Sequence, residues 1–204
     1  MTLLSSTIRY VEPDERRQQV LELAARMLVE QGPHGLSLRR LAQQAGGSTQ
    51  LVYTLFGGKP GLADALYAEG FRRLGEAGAR ALQDAPLPPD PERLVVIGRA
   101  YRRFALDEPA LFSVMFGRAI AGFTPSRATR EQSRASTFDH VVSTARECLD
   151  AGTLVGLSAE DLARECWVTV HGLASLEVAG LLMATNADAF AETALRTPVD
   201  AHRP

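Results

Sequence analysis

Thr49, Gln50, Tyr53 and Thr54 bring three hydroxyls and a carboxamide into six residues of chain. On a helix their spacing gathers them on one face. These groups have little reason to be buried, and such a face suits the major groove of a duplex, where hydroxyls and amides pair with base edges. Ser48, just before them, is a candidate N-cap that would leave backbone N–H groups and the positive end of a helix dipole facing a phosphate. Arg39, Tyr53 and Lys59 can grip the neighbouring backbone, where contacts position a protein without specifying sequence. Lys59 is the only lysine among 22 basic residues, the rest being arginine.

The elements that must carry these groups follow from the surrounding pattern. Ser37 is placed as the N-cap of a short helix to about Ala45. Gly46-Gly47 breaks the chain, and a second short helix runs from Ser48 to about Leu55, closed by Phe56-Gly57-Gly58. Leu38, Leu41, Ala42, Ala45, Val52 and Phe56 can pack the pair together, which is helix-turn-helix spacing. Two short helices about a Gly-Gly turn occur in many helical proteins, so the spacing alone also allows a structural role. Leu55 either touches a thymine methyl or packs.

The rest of the chain reads as helix after helix. The first follows Pro13-Asp14, carries Val20, Leu23, Ala24, Met27 and Leu28 on one face, and stops at Gly32-Pro33. A long helix runs from Lys59 into the low eighties, and the four prolines between Asp84 and Glu92 demand a loop that ends in an Asp90-Pro91 start signal. Further helices are expected over Glu92–Leu106, Ala110–Ile120, Ser126–Ala151, Ala159–Met183 and Ala187–Arg196, with Ser158 and Asp161 forming a capping box. Thr197 to Pro204 reads as a frayed tail, and Gly172 and Gly180 as points of close helix approach. The fold class is all-α.

Composition narrows the function classes. The 204 residues are 46% apolar and 23% charged with net charge −2, ordinary for a soluble chain. Residues 1–75 hold nine basic and seven acidic side chains, residues 76–204 thirteen and seventeen, a mild basic bias at the front. No run is long and apolar enough for a membrane span, and no secretion leader is expected. Cys148 and Cys166 form no disulfide framework or Cys-x-x-Cys pair, which points to a cytoplasmic protein. The histidines lack metal-ligand spacing, and neither a phosphate-cradling glycine loop nor a nucleophile elbow is present. No catalytic residue, metal or cofactor is expected.

Glu15 to Leu74 resembles the DNA-binding head of the TetR family of regulators. The resemblance rests on Gly35-Leu-Ser-Leu-Arg-Arg-Leu-Ala-Gln-Gln-Ala-Gly46, Ser48-Thr-Gln-Leu-Val-Tyr53 and Phe56-Gly-Gly-Lys59-Pro-Gly-Leu62. It implies phosphate contacts at Tyr53 and Lys59. Gly47 replaces the valine usual in the turn, and Leu55 replaces a residue that often contacts the backbone. Trp167-Val-Thr-Val-His171-Gly172 is similar to the Trp–His-Gly signature of one TetR C-terminal type, and Phe104 to Met115-Phe116 to the segment that precedes it.

The implied organisation is an N-terminal arm over 1–13, a three-helix DNA-binding head over 14–75 with its motif at 37–56, and a larger helical ligand-binding and dimerisation bundle over 76–204. The expected DNA-binding residues are Ser37, Arg39, Ser48, Thr49, Gln50, Tyr53, Thr54, Leu55 and Lys59. Phe104, Phe112, Met115, Phe116, Phe138, Trp167 and His171 are candidates for an apolar pocket, with Leu111 beside them; Trp167 and His171, four apart on one helix, can equally be core. The expected partners are a pseudo-palindromic double-stranded operator, a small-molecule effector and a second copy of the chain, without a membrane. The reading is a non-enzymatic regulator, a repressor by the family's usual habit. The alternatives are a constitutive regulator with a filled body, or an all-helical binding protein or enzyme whose head is structural.

Overall fold

The computed structural model describes residues 13–32, 36–117, 120, 122–182 and 186–204. Over them the chain forms ten helices and no strand: α1 (Pro13–Gln31), α2 (Leu38–Gln44), α3 (Thr49–Phe56), α4 (Lys59–Ala81), α5 (Glu92–Asp107), α6 (Pro109–Phe116), α7 (Arg127–Ala135), α8 (Phe138–Asp150), α9 (Ala159–Val178) and α10 (Ala187–Asp200). The all-α expectation holds. No helix among the described residues is long and apolar enough to cross a membrane. The expected arm over 1–13 lies outside the described residues except for Pro13, as do Pro33, His34 and Gly35.

One apolar core runs through the molecule, and α4 threads it from end to end. Near its start Leu62, Ala63 and Leu66 are buried against α1 and α3; further along, Gly70 meets α6 and Leu74 meets the body. At 23 residues the helix spans roughly 35 Å. α5, α6 and α7 pack on its later turns, and α8, α9 and α10 pack in turn on α5.

Most helix starts follow the caps read from sequence. Ser158 Oγ accepts the Asp161 N–H at 3.1 Å, closing the expected box. Asp90 caps α5 by accepting the Glu92 N–H at 2.8 Å. Ser37 and Ser48 occupy the N-cap positions of α2 and α3, but Ser48 makes no side-chain cap bond.

Four expectations need correction. The single helix expected over Ser126–Ala151 is two. The hydroxyls of Ser136 and Thr137 both donate to the Ser133 carbonyl, at 3.0 and 2.8 Å, and α7 ends there. α9 stops at Val178, before Met183, because Gly180 takes φ +68°, a left-handed conformation that ends the helix. Gly180 is therefore a terminator within this chain. The helix expected over Ala110–Ile120 stops at Phe116, with Gly117 as its cap. Finally, Thr197–Pro204 is not a frayed tail: α10 continues through Pro198 to Asp200, and Val199 is buried. Thr197 Oγ1 bonds the Thr193 carbonyl at 2.9 Å, and Val155 N–H donates to the His202 carbonyl at 2.8 Å, tying the end down.

A buried carboxylate sits where α1, α4 and α6 meet. Glu69 is 5% exposed, and it accepts from Arg72 at 2.7 and 2.8 Å and from Arg73 at 2.7 Å. Arg73 reaches on to Glu108, ahead of α6, and Gln18 of α1 touches Glu69 from the other side. Burial works to raise the Glu69 pKa, but the two guanidinium groups overcome it and hold the carboxyl at about 2. Because the folded pKa is depressed, the stabilisation is complete above the unfolded value near 4.3 and is lost as pH falls toward 2. Glu69→Gln is expected to lower unfolding free energy at pH 7 by about 1–3 kcal/mol. It should also flatten the loss of stability between pH 4.5 and 2, as measured by urea denaturation across pH. An unchanged acid limb would contradict this account.

Candidate nucleic-acid interface and cavity

α3 is short, and its packing determines which side chains it can present. Val52 is fully buried, Phe56 nearly so, and Leu51 and Leu55 are half-buried against the core. With that side committed, Thr49, Gln50, Tyr53 and Thr54 are all exposed, together with Arg39, Ser48 and Lys59. Ser37 is half-buried at its cap. Leu55 packs inward.

The turn between α2 and α3 is held from outside as well as within. Gly46 takes φ +69°, which L side chains rarely adopt, so the reversal is made there. Arg16 of α1 donates to the Ala45 carbonyl at the end of α2, and Arg17 lies over the Phe56 ring at 5.0 Å. A concave notch forms at the turn, lined by Arg39, Gln43, Gly46, Gly47, Ser48 and Thr49. A Cβ on Gly47 would come within 2.8 Å of Leu51 Cδ2, so any side chain there would require Leu51 to move. Tyr53 lies across Gly58, whose missing side chain leaves room for the ring; a Cβ there would sit 2.9 Å from Tyr53 Cε1. That places the phenol beside the start of α4 and Lys59.

The second feature is a cavity of about 930 Å³ in the body, a size ordinary for small-molecule sites. Tyr67, Phe71 and Leu74 of α4, Ile97 and Tyr101 of α5, and Val141 of α8 form much of its wall. Among the candidates read from sequence, Phe116, Phe138 and Trp167 line it. Phe104, Phe112 and Met115 lie in the buried core, and Leu111 is fully buried.

His171 stands one layer behind the wall. Its ring packs on Phe116 and Phe112, at centroid distances of 4.6 and 5.5 Å, and Trp167 is 6.0 Å away. Its Nδ1 is 2.8 Å from the Tyr101 hydroxyl, the tautomer deciding which is donor. Burial draws the imidazole below its ordinary pKa and pushes the phenol up, so both are neutral at pH 7. The histidine therefore orients a phenol that the cavity does see. Sequence reasoning missed Tyr101, although Ile97 and Tyr101, four apart on α5, gave a helical signal.

Residues 94–197 match the family model described as the tetracyclin repressor-like C-terminal domain, and residues 20–66 match that of bacterial regulatory proteins of the tetR family. The chain belongs to the TetR family. It is 28% identical over 113 residues to an HTH-type transcriptional regulator of Mycobacterium tuberculosis, covering 54% of this chain and 48% of that protein. The chain thus spans about half the length of the curated relatives it matches. A protein of unknown function from Rhodococcus sp. RHA1 superposes with a TM-score of 0.84 at 29% identity, covering 98% of this chain and 100% of that one. A TetR family transcription regulator from Marinobacter aquaeolei VT8 shares the fold, with a TM-score of 0.70 at 17% identity over 93% of this chain and 96% of that one.

The TetR body carries two glycines of α4 on the cavity wall, and their surroundings differ. A Cβ on Gly75 would lie 2.4 Å from the Ser136 carbonyl oxygen, whereas one on Gly78 meets nothing within 4 Å. Gly75→Ala is expected to destabilise by about 1–3 kcal/mol through forced backbone displacement. Gly78→Ala should be neutral or stabilising by up to about 1 kcal/mol, since alanine is the better helix former. Paired urea denaturation curves check this, and equal effects would contradict the packing described.

Proposed function

We propose that this TetR-family chain is a homodimeric, sequence-specific DNA-binding regulator of the cytoplasm, a repressor released from its operator by a small, largely apolar ligand. The observation that carries the reading is the exposed face of α3: its apolar side is spent on Val52 and Phe56, leaving Thr49, Gln50, Tyr53 and Thr54 bare. In this reading those side chains meet base edges in the major groove. Tyr53, Lys59 and Arg39 hold phosphates, and the notch at the N-terminus of α3, with Ser48 at its lip, receives another.

The second copy is proposed to pack on α9 and α10. α10 is fixed to its own subunit on one side by Arg196 and Arg99, which bridge Glu92 and Glu192. Other faces of the two helices leave Val168, Leu176 and Phe190 exposed, and Gly172 has open space around it. Covering such a face by a twin is the ordinary solution for an apolar helix surface. Two heads then address half-sites about 34 Å, or a multiple of that, apart along the duplex.

Release follows from α4. Its first turn carries Lys59, and its later turns supply Tyr67, Phe71, Leu74 and Gly78 to the cavity wall. A ligand that fits the cavity better at one tilt of α4 shifts the two heads toward a spacing the operator does not match. The linkage requires different ligand affinities for the two states.

Selection of genomic fragments with the purified protein is expected to enrich a site with two inverted half-sites, bound by a species that light scattering reports as a dimer. The Tyr53→Ala, Lys59→Ala variant should lose about tenfold or more in affinity and show a salt slope shallower by about one or two. No enrichment, or a variant equal to the parent, would contradict the reading.

A further inference from the structure

The cavity wall has a charge pattern that an apolar ligand alone does not use. Arg130, Arg134 and Arg164 line it, and among the described residues no Asp or Glu does. These three arginines are exposed, whereas Leu74, Leu94, Tyr101 and Val170 are buried, so the cations stand where the cavity meets solvent and the interior is neutral.

How far each cation is already neutralised decides whether a ligand can use it. Arg130 donates to the Pro125 carbonyl at 2.7 Å and has no ion pair among the described residues. Asp64 of α4 is engaged elsewhere, accepting from the Ser126 N–H and the Thr129 hydroxyl. Arg134 faces Asp139 at 3.3 Å, with the two side chains 66% and 49% exposed. An exposed pair of that kind contributes about 0–1 kcal/mol and exchanges readily for another anion. Arg164 is the least available, since it donates to Asp161 within one turn of α9 in a shorter pair than Arg134 makes. Arg130 and Arg134 are one helical turn apart on α7, and Ser133 beside them is buried on the same wall.

We propose that the effector is an amphipathic monoanion: an apolar body seated among Phe71, Ile97, Phe138 and Trp167, with a carboxylate or a group of like charge held by Arg130 and Arg134. The assignment rests on the reading of this cavity as the effector site. A guanidinium pair recognises a planar carboxylate by charge-assisted bonds, and removing it from water along its apolar stem adds the burial of the tail.

Trp167 is the only tryptophan in the chain and lies on the wall, so its fluorescence reports occupancy directly. Decanoate, 1-decanol and decylammonium carry the same tail with different heads and are titrated separately, each in its monomeric concentration range. Decanoate is expected to bind with a Kd about tenfold or more below either of the others. Arg130→Gln, Arg134→Gln should raise the decanoate Kd by a similar factor and leave decanol unmoved, and Gly78→Leu should block all three. Decanol or decylammonium binding as tightly as decanoate, or an arginine variant with the parent's decanoate affinity, would overturn the anion assignment. If Gly78→Leu still abolished that binding, the effector reading of the cavity would stand. Failure of all three compounds to bind would overturn both.

Discussion

Continuity of α4 is the constraint on which the other features depend. Leu62 and Leu66 commit its first half to the core of the head, and Leu74 commits its second half to the body, so the two cannot move independently without bending a packed helix. At the crossing, Glu69 with Arg72 and Arg73 binds α1 and α6 to the same point. Taking that carboxylate out of water is unfavourable, and it is tolerated because two guanidinium groups satisfy it. In the proposed release mechanism, a helix anchored in this way carries small changes at Tyr67 or Phe71 to the turn that holds Lys59. A loop in its place would absorb them.

The head was legible in the sequence because its signals are local. Ser37, Gly46, Ser48 and Gly57 punctuate two short helices, and the buried positions Leu41, Val52 and Phe56 fall where helical spacing puts them. The exposed face of α3 follows by subtraction. The body was less legible because its helix ends turn on single side-chain bonds and single glycine conformations, and in places on partners distant in sequence. Ser136 and Thr137 end α7 where the Ser136 carbonyl occupies the space that a side chain at position 75 of α4 would need, a neighbour that no window around residue 136 contains. α10 was expected to end at Arg196, yet it passes through Pro198 because Val199 and the His202 carbonyl have places to go in the body.

The cavity shows the same division. Phe116, Phe138 and Trp167 were visible as large apolar groups, but so were Phe104, Phe112 and Met115, and composition cannot separate a wall from a core. Tyr101 and the arginines of α7 reach the cavity only because α5 and α7 each pack on α4. The Arg-rich composition hid Arg130 and Arg134 among many others, whereas the lone Lys59 stood out.

The central claim is that α3 reads bases while its neighbours hold the backbone, and a change of specificity tests it most directly. Fragment selection is repeated with Gln50→Arg and, separately, Lys59→Ala. The account predicts that Gln50→Arg changes the preferred base at one position of each half-site, toward guanine, because the guanidinium fork matches its major-groove edge. Lys59→Ala should keep the parent's preferences and weaken binding to every sequence alike. A Gln50→Arg protein that binds the parent's site with every base preference unchanged would contradict it.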